Sequence, residues 1–281
     1  MDEQNNLSIL ERIHSAYYQL PAAERKVADY VLANHGQVQF MSITQLAEEC
    51  GTAEATVSRF CRSLEVKGFN AFKLELARYH TTPLRQEHDL DTQEGRSKQA
   101  GEMAIEAIEQ TLSLVQPDKV LRTVELFENA SRVMCIGSGG SMIIAEECAN
   151  LFSTVTGKFI AVTDSHTQIS AIATMSKQDV IVLFSYSGAT TNSIQVLELA
   201  KQLAIPTVLV TRYSKSPAAK LADTVLLCGS NESPVQFGSV AAKVAQLMVI
   251  DVLFQEYCYQ NREACEENIQ RIASALAVKH I

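Results

Sequence analysis

Apolar residues recur at three- and four-residue spacing through the first 80 positions. After about position 130 they gather instead in short β-branched runs separated by helical stretches. The first pattern predicts helices over "LSILERIHSAYYQL", "AAERKVADYVLANH", "SITQLAEEC", "AEATVSRFCRSL" and "NAFKLELARYH". Pro21 suits the opening turn of the second, where its missing N–H costs little. That helix is expected to stop before Gly36, with turns at Gly51 and Gly68. Residues 81–99, "TTPLRQEHDLDTQEGRSKQ", are polar and without clear apolar period, and read as a linker, helical at most in part.

Helices resume with "GEMAIEAIEQTLSLV" and with a segment opening at Pro117. The strands "RVMCI", "KFIAVT", "DVIVLF", "TVLVT" and "TVLLC" then alternate with helices. In "SHTQISAIATM", Ser165 and Gln168 have the spacing of a capping box. A long apolar helix, "SVAAKVAQLMVIDVLFQEYCYQ", precedes a last helix. Strands alternating with helices predict a parallel sheet of five strands covered on both faces. The expected architecture is an all-α helix-turn-helix domain over 1–80, a linker over 81–99 and an α/β domain over 100–281.

Composition narrows the function classes. With 47% hydrophobic and 20% charged residues the chain is ordinary for a soluble globular protein. No apolar run is long enough for a bilayer, and the start "MDEQNNLSIL" is too acidic and polar for a secretory signal, so a cytoplasmic location without membrane contact is expected. The seven cysteines are scattered without a CxxC pair, which points to neither zinc nor disulfides. No metal or other cofactor is expected. The net charge of -8 argues against a general polyanion binder. The basic excess is local: residues 52–80 hold five Lys/Arg against three Asp/Glu, whereas residues 1–51 hold three against seven.

That excess coincides with a helix-turn-helix pattern. Such a unit needs a small residue where the helices approach and a turn residue that tolerates positive φ. Ala47 lies four residues before Gly51, and Val57 and Phe60 follow it by six and nine. The second helix then turns Glu54, Ala55, Ser58, Arg59 and Arg62 outward, where its early residues meet base edges in a major groove. Arg59 and Arg62 suit guanine edges or phosphates, and Thr56 and Ser58 suit phosphate or base contacts. Lys67 and Lys73 are placed for phosphate contacts, which position without specifying.

Two loops of the α/β part share one build. "GSGGS" (137–141) and "SYSGATTN" (185–192) each join a strand to a helix. At the carboxyl end of a parallel strand, a helix N-terminus offers N–H groups and a positive dipole end to an anion. Ser185, Ser187 and Thr190 add hydroxyls, and Gly188 is expected to turn the chain and offer its N–H. Ser138 and Ser141 face the same edge. Neither loop holds Lys or Arg, and neither completes a dinucleotide or Walker motif, so a small monophosphate fits better than NAD or ATP.

This combination resembles the RpiR family of bacterial transcription regulators, which pair a helix-turn-helix with a sugar isomerase (SIS) domain. "ATVSRFCRSLEVKGFNAFKLEL" is similar to the family's segment after the turn, and "GSGGS", "SYSGAT" and "SPVQFGSVAAKVAQLMVIDVLF" resemble its SIS portion in order. The chain departs from the family at Glu65, where glycine is frequent, and at Lys243, where arginine is. The resemblance implies a phosphosugar held by Ser141, Ser185, Ser187 and Thr190, with Glu232 facing the sugar. Isomerisation would need an acid and a base, for which only Glu232 and His166 are candidates. The expected function is a regulator without enzymatic activity, binding a double-stranded operator as a homodimer or homotetramer and responding to a sugar phosphate. The alternative is a sugar-phosphate isomerase with a helical appendage. The outward face of residues 54–64, with two arginines and two hydroxyl residues, favours DNA.

Overall fold

A computed structural model describes residues 9–79, 91–229 and 239–277. The chain divides into two compact units, the first reaching Gln99 and the second opening at Ala100.

The first unit carries α1 (Ile9–Ala16), α2 (Ala22–Val38), α3 (Ile43–Glu49), α4 (Glu54–Ser63) and α5 (Phe69–Tyr79). Its core gathers one stripe from each helix: Ile13, Val27, Val31, Leu46, Val57, Phe60 and Phe72 are all fully buried. The Phe60 and Phe72 rings meet edge to face at 5.5 Å, joining α4 to α5. Ser42 and Gln45 form a reciprocal capping box that starts α3. Gly51 has φ +59, as the turn between α3 and α4 demands, and the Thr52 N–H closes that turn on the Ala47 carbonyl at 2.8 Å. α2 does not stop before Gly36. It bends at Asn34 (φ -131) and continues to Val38, with the Asn34 amide donating to the Tyr30 carbonyl inside the bend.

A longer helix, α6 (Gln93–Leu114), spans the divide between the units. Residues 93–99, expected to belong to a linker, are thus its first two turns.

In the second unit α6 is followed by α7 (Pro117–Asn129), β1 (Val133–Gly137), α8 (Gly140–Ser153), β2 (Phe159–Val162), α9 (Ser165–Ile172), β3 (Val180–Phe184), α10 (Thr191–Gln202), β4 (Thr207–Thr211), β5 (Thr224–Leu227), α11 (Val240–Gln260) and α12 (Arg262–Leu276). The five strands are all parallel in the order β2-β1-β3-β4-β5. Alternate strand residues feed two cores. Cys135, Val182 and Val208 face α7, α8 and α11, while Ile136, Leu183 and Leu209 face α9 and α10. Burial on both faces is why β1, β3 and β4 read as apolar runs.

The order places a switch point between β1 and β3. From β1 the chain crosses to β2 on one side, then returns to lay β3 on the other. Gly137 pairs with Phe184, so the loops leaving these two strands start side by side. Open parallel sheets bind ligands at such a crevice.

Candidate functional site

On α4, helical spacing turns Thr56, Val57, Phe60 and Cys61 inward and leaves Ala55, Arg59 and Arg62 exposed, with Ser58 half-buried. Arg59 keeps 59% of its side chain exposed yet is guided at its base. Its Nη2 donates to Thr56 Oγ1 at 3.1 Å, and its Nε lies 3.9 Å from the buried carboxylate of Glu24. Glu24 in turn accepts from the Ser63 hydroxyl at 2.7 Å. Arg59 therefore stands on a polar foundation shared with α2.

Two expected DNA contacts need correction. Thr56 is buried beside Val57 and Phe60, and its hydroxyl serves Arg59 rather than a base or phosphate. Lys73 lies on the inner side of α5, with its ammonium donating to the Met41 carbonyl at 3.1 Å and sitting 5.3 Å from the Phe69 ring centre. Burial lowers its pKa from 10.5 to about 8, because the charged form loses water. It is part of the fold, not of a phosphate-facing surface. Lys67 is exposed, as a phosphate contact requires.

At the carboxyl edge of the sheet, Gly139 (φ +56) turns the first loop into α8, and the Ser141 N–H closes on the Ser138 carbonyl at 3.2 Å. Ser138 and Ser141 are both half-buried. A Cβ on Gly137 would stand 2.2 Å from the Ser141 carbonyl oxygen, so only glycine lets the strand end so close to α8.

The second loop is propped from beneath. Thr211 Oγ1 and the Arg212 N–H both donate to the Tyr186 carbonyl, at 3.1 and 3.0 Å, and the Ala218 N–H donates to the Gly188 carbonyl at 2.9 Å. Gly188 has φ +59, and a Cβ there would stand 2.1 Å from Ser216 Oγ. Its own N–H is taken by the Ser185 carbonyl at 3.0 Å, which corrects the expectation that it faces a ligand. Gly188 shapes the loop; it does not supply a donor.

The hydroxyls differ in availability. Thr190 caps α10, its Oγ1 accepting from the Ser193 N–H and lying 2.6 Å from Ser193 Oγ. The Ser193 hydroxyl donates onward to Ser185, which is buried. Ser187 is half-buried, its Oγ accepting only a long bond from the Ala189 N–H at 3.3 Å. Ser138, Ser141 and Ser187 are thus half-buried and Thr190 is exposed, whereas Ser185 is buried. Glu232 lies outside the described residues.

Sequence reasoning missed a polar hub. Gln168 does not cap α9: Asp164 does, accepting from the Thr167 N–H at 2.8 Å, and these bonds lower the pKa of its carboxyl. Gln168 is instead fully buried, donating to the carbonyls of Gly137 and Val162 and accepting from Asn192. Asn192 also donates to Ser138. Nothing in "TTNSI" beyond a helix start marks this role. His166 is exposed in the first turn of α9. Among the described residues no group of three or more His, Cys, Asp and Glu could hold a metal ion, and no helix is long and apolar enough to cross a membrane.

Comparison with known proteins places both halves. Residues 7–83 match the helix-turn-helix domain of the rpiR family, and residues 126–255 match the SIS domain. An uncharacterized HTH-type transcriptional regulator of Caldanaerobacter subterraneus is 31% identical over 257 residues, covering 88% of each chain. The HTH-type transcriptional regulator HexR of Escherichia coli is 28% identical, covering 96% of this chain and 94% of its own. Among solved structures, the Vibrio vulnificus NanR protein complexed with ManNAc-6P superposes with a TM-score of 0.87 at 29% identity, covering 97% of this chain and all of that one. A helix-turn-helix that exposes Arg59 and Arg62 is thus followed here by a parallel sheet with hydroxyl-rich loops at its switch point, and the chain belongs to the rpiR family of helix-turn-helix transcriptional regulators with a SIS domain.

Proposed function

We propose that this regulator binds an operator through α4 and senses the phosphate ester of a small sugar at the crevice between β1 and β3. Ser138, Ser141 and Ser187 offer hydroxyls to the phosphate, while Ser185 and Thr190 hold the loop through Ser193. The N-termini of α8 and α10 supply the positive dipole ends. The observation that carries the reading is the full-length likeness to NanR, a protein solved with ManNAc-6P, together with the pairing of the two loops across neighbouring strands. The genes controlled are then those of sugar or amino-sugar metabolism.

On the DNA side, Arg59 and Arg62 reach base edges or phosphates, and Ser58 and Lys67 add backbone contacts. Two copies, paired as a homodimer or within a homotetramer, present two such helices to half-sites about one turn of DNA apart. Ligand and operator are coupled reciprocally, typically by about 1–3 kcal/mol.

The test is a thermal-shift screen with hexose, pentose and N-acetylhexosamine phosphates, each beside its unphosphorylated parent. A ligand at 100 times its dissociation constant stabilises by about 2.7 kcal/mol. One phosphorylated sugar is expected to raise the unfolding temperature, with the rise lost in Ser187→Ala. No shift across the panel overturns the phosphosugar reading. Following the same sugars by NMR separates a sensor, which leaves them unchanged, from an isomerase, which interconverts them.

A further inference from the structure

We infer that Asn192 is a positioning residue for the ligand site: it holds the Ser138 hydroxyl so that its proton is turned to an anion in the crevice. The inference rests on the phosphosugar reading above and adds to it a role for the last residue of "SYSGATTN", an amide rather than a hydroxyl.

The argument starts from Gln168, whose side chain is fully buried. Its Nε2 lies 3.0 Å from the Gly137 carbonyl, 2.9 Å from that of Val162 and 3.4 Å from that of Thr163. Carbonyls only accept, so the nitrogen of this amide must face them and its oxygen must face away. That oxygen lies 2.9 Å from Asn192 Nδ2. An amide oxygen cannot donate, so the Asn192 nitrogen is the donor there, and the orientation of the second amide follows from the first. The same nitrogen lies 2.8 Å from Ser138 Oγ. Both of its hydrogens are thereby committed, one to Gln168 and one to Ser138. Ser138 accepts, and its own proton is left for another partner.

A hydroxyl that already accepts from an amide is a better donor, because hydrogen bonds in a chain polarise one another. It also has one lone pair fewer to turn toward an incoming anion. The chain runs from three backbone carbonyls through Gln168 and Asn192 to Ser138, and so ties the ends of β1 and β2 to the first turn of α10. These are elements whose mutual placement defines the crevice. Charge enters as well: Asn192 is neutral, so it orients the serine without adding a negative charge beside a phosphate.

The test uses calorimetric titration of the full chain with inorganic phosphate and with the sugar phosphates of the screen. Asn192→Asp keeps the shape but replaces the donor with a carboxylate, which takes the Ser138 proton for itself. Affinity for the phosphorylated ligand is expected to fall at least tenfold. A cycle of Ser138→Ala, Asn192→Ala and the double variant covers the case in which the aspartate misfolds. If Asn192 acts through Ser138, Asn192→Ala weakens binding in the native background and changes it less than twofold when Ser138 is already alanine. Equal losses in both backgrounds, or Asn192→Asp binding within twofold of the native chain, overturn the inference while leaving the phosphosugar reading intact. A native chain that binds none of the probes overturns that reading and this inference together.

Discussion

The arginines of α4 stand away from the core: Arg59 is 59% exposed and Arg62 is exposed, as is Lys67 in the turn that follows the helix. At the carboxyl edge of the sheet the polar side chains are short and bonded to one another, with Thr190, Ser193 and Ser185 in one chain and Gln168, Asn192 and Ser138 in another. The difference fits what each surface is proposed to meet. DNA phosphates are spaced, solvated and approached by long cations whose contacts form only on docking. A small anion must find its donors already aimed, since ordering them on binding would cost affinity. The proposed binding groups on α4 are thus separable from the fold, whereas those proposed for the crevice are part of it.

The strongest challenge to that contrast is a single methyl group. Gly137→Ala sets a Cβ 2.2 Å from the Ser141 carbonyl oxygen, and Gly188→Ala sets one 2.1 Å from Ser216 Oγ at φ +59. Each is expected to destabilise the second unit by about 3 kcal/mol or more, through overpacking and, at Gly188, backbone strain. Urea unfolding measures the loss, and the response to the sugar phosphate should vanish with it. A variant of near-native stability would mean that the loops are not integral to the fold.

Arg62→Ala gives the complementary result. Operator binding is expected to weaken by about 1–3 kcal/mol, measured by anisotropy at fixed salt. Stability should stay within about 0.5 kcal/mol of native, as for an exposed side chain. A large stability loss would show that the reader is as entangled with its fold as the crevice is.

Lys73 marks where the contrast fails inside the first unit, since it is a cation of the DNA-binding half that belongs to the core. Its folded pKa of about 8 lies below the ordinary 10.5. Between these values the unfolded chain binds more protons than the folded one, so stability from this group rises with pH. From pH 7.5 to 9.5 the rise is about 2 kcal/mol. Lys73→Met should remove this pH dependence and leave operator affinity close to native. If affinity instead falls with a reduced salt slope, the lysine does reach phosphate.

The smallest effect concerns the ends of helices. Glu65 follows α4 at φ +60, and Ala204 follows α10 at φ +54. Side chains other than glycine are strained there, so Glu65→Gly and Ala204→Gly should each stabilise by about 0.5–1 kcal/mol in thermal unfolding. Glu65 is also where the chain departs from the family's frequent glycine, and its backbone explains that preference.

Much of this molecule was legible in its sequence. Apolar period located the helices around Phe60 and Phe72 and the buried strands, and the spacing from Ala47 through Gly51 to Val57 and Phe60 identified the helix-turn-helix, because helix period and turn conformation are local properties. The hydroxyl-rich loops were legible as possible anion sites for the same reason. Their neighbourhood was not: only the strand order β2-β1-β3-β4-β5 sets Gly137 beside Phe184 and brings the loops together. Nor could spacing distinguish Lys67, in the turn between α4 and α5, from Lys73 on α5, since exposure depends on what packs against each. The bonds that join Gln168 and Asn192 to the end of β1 and to Ser138 come from tertiary structure alone. A side-chain hydrogen bond is set by partners distant in the chain, and Ser138 and Asn192, 54 residues apart, become neighbours only when the sheet has formed.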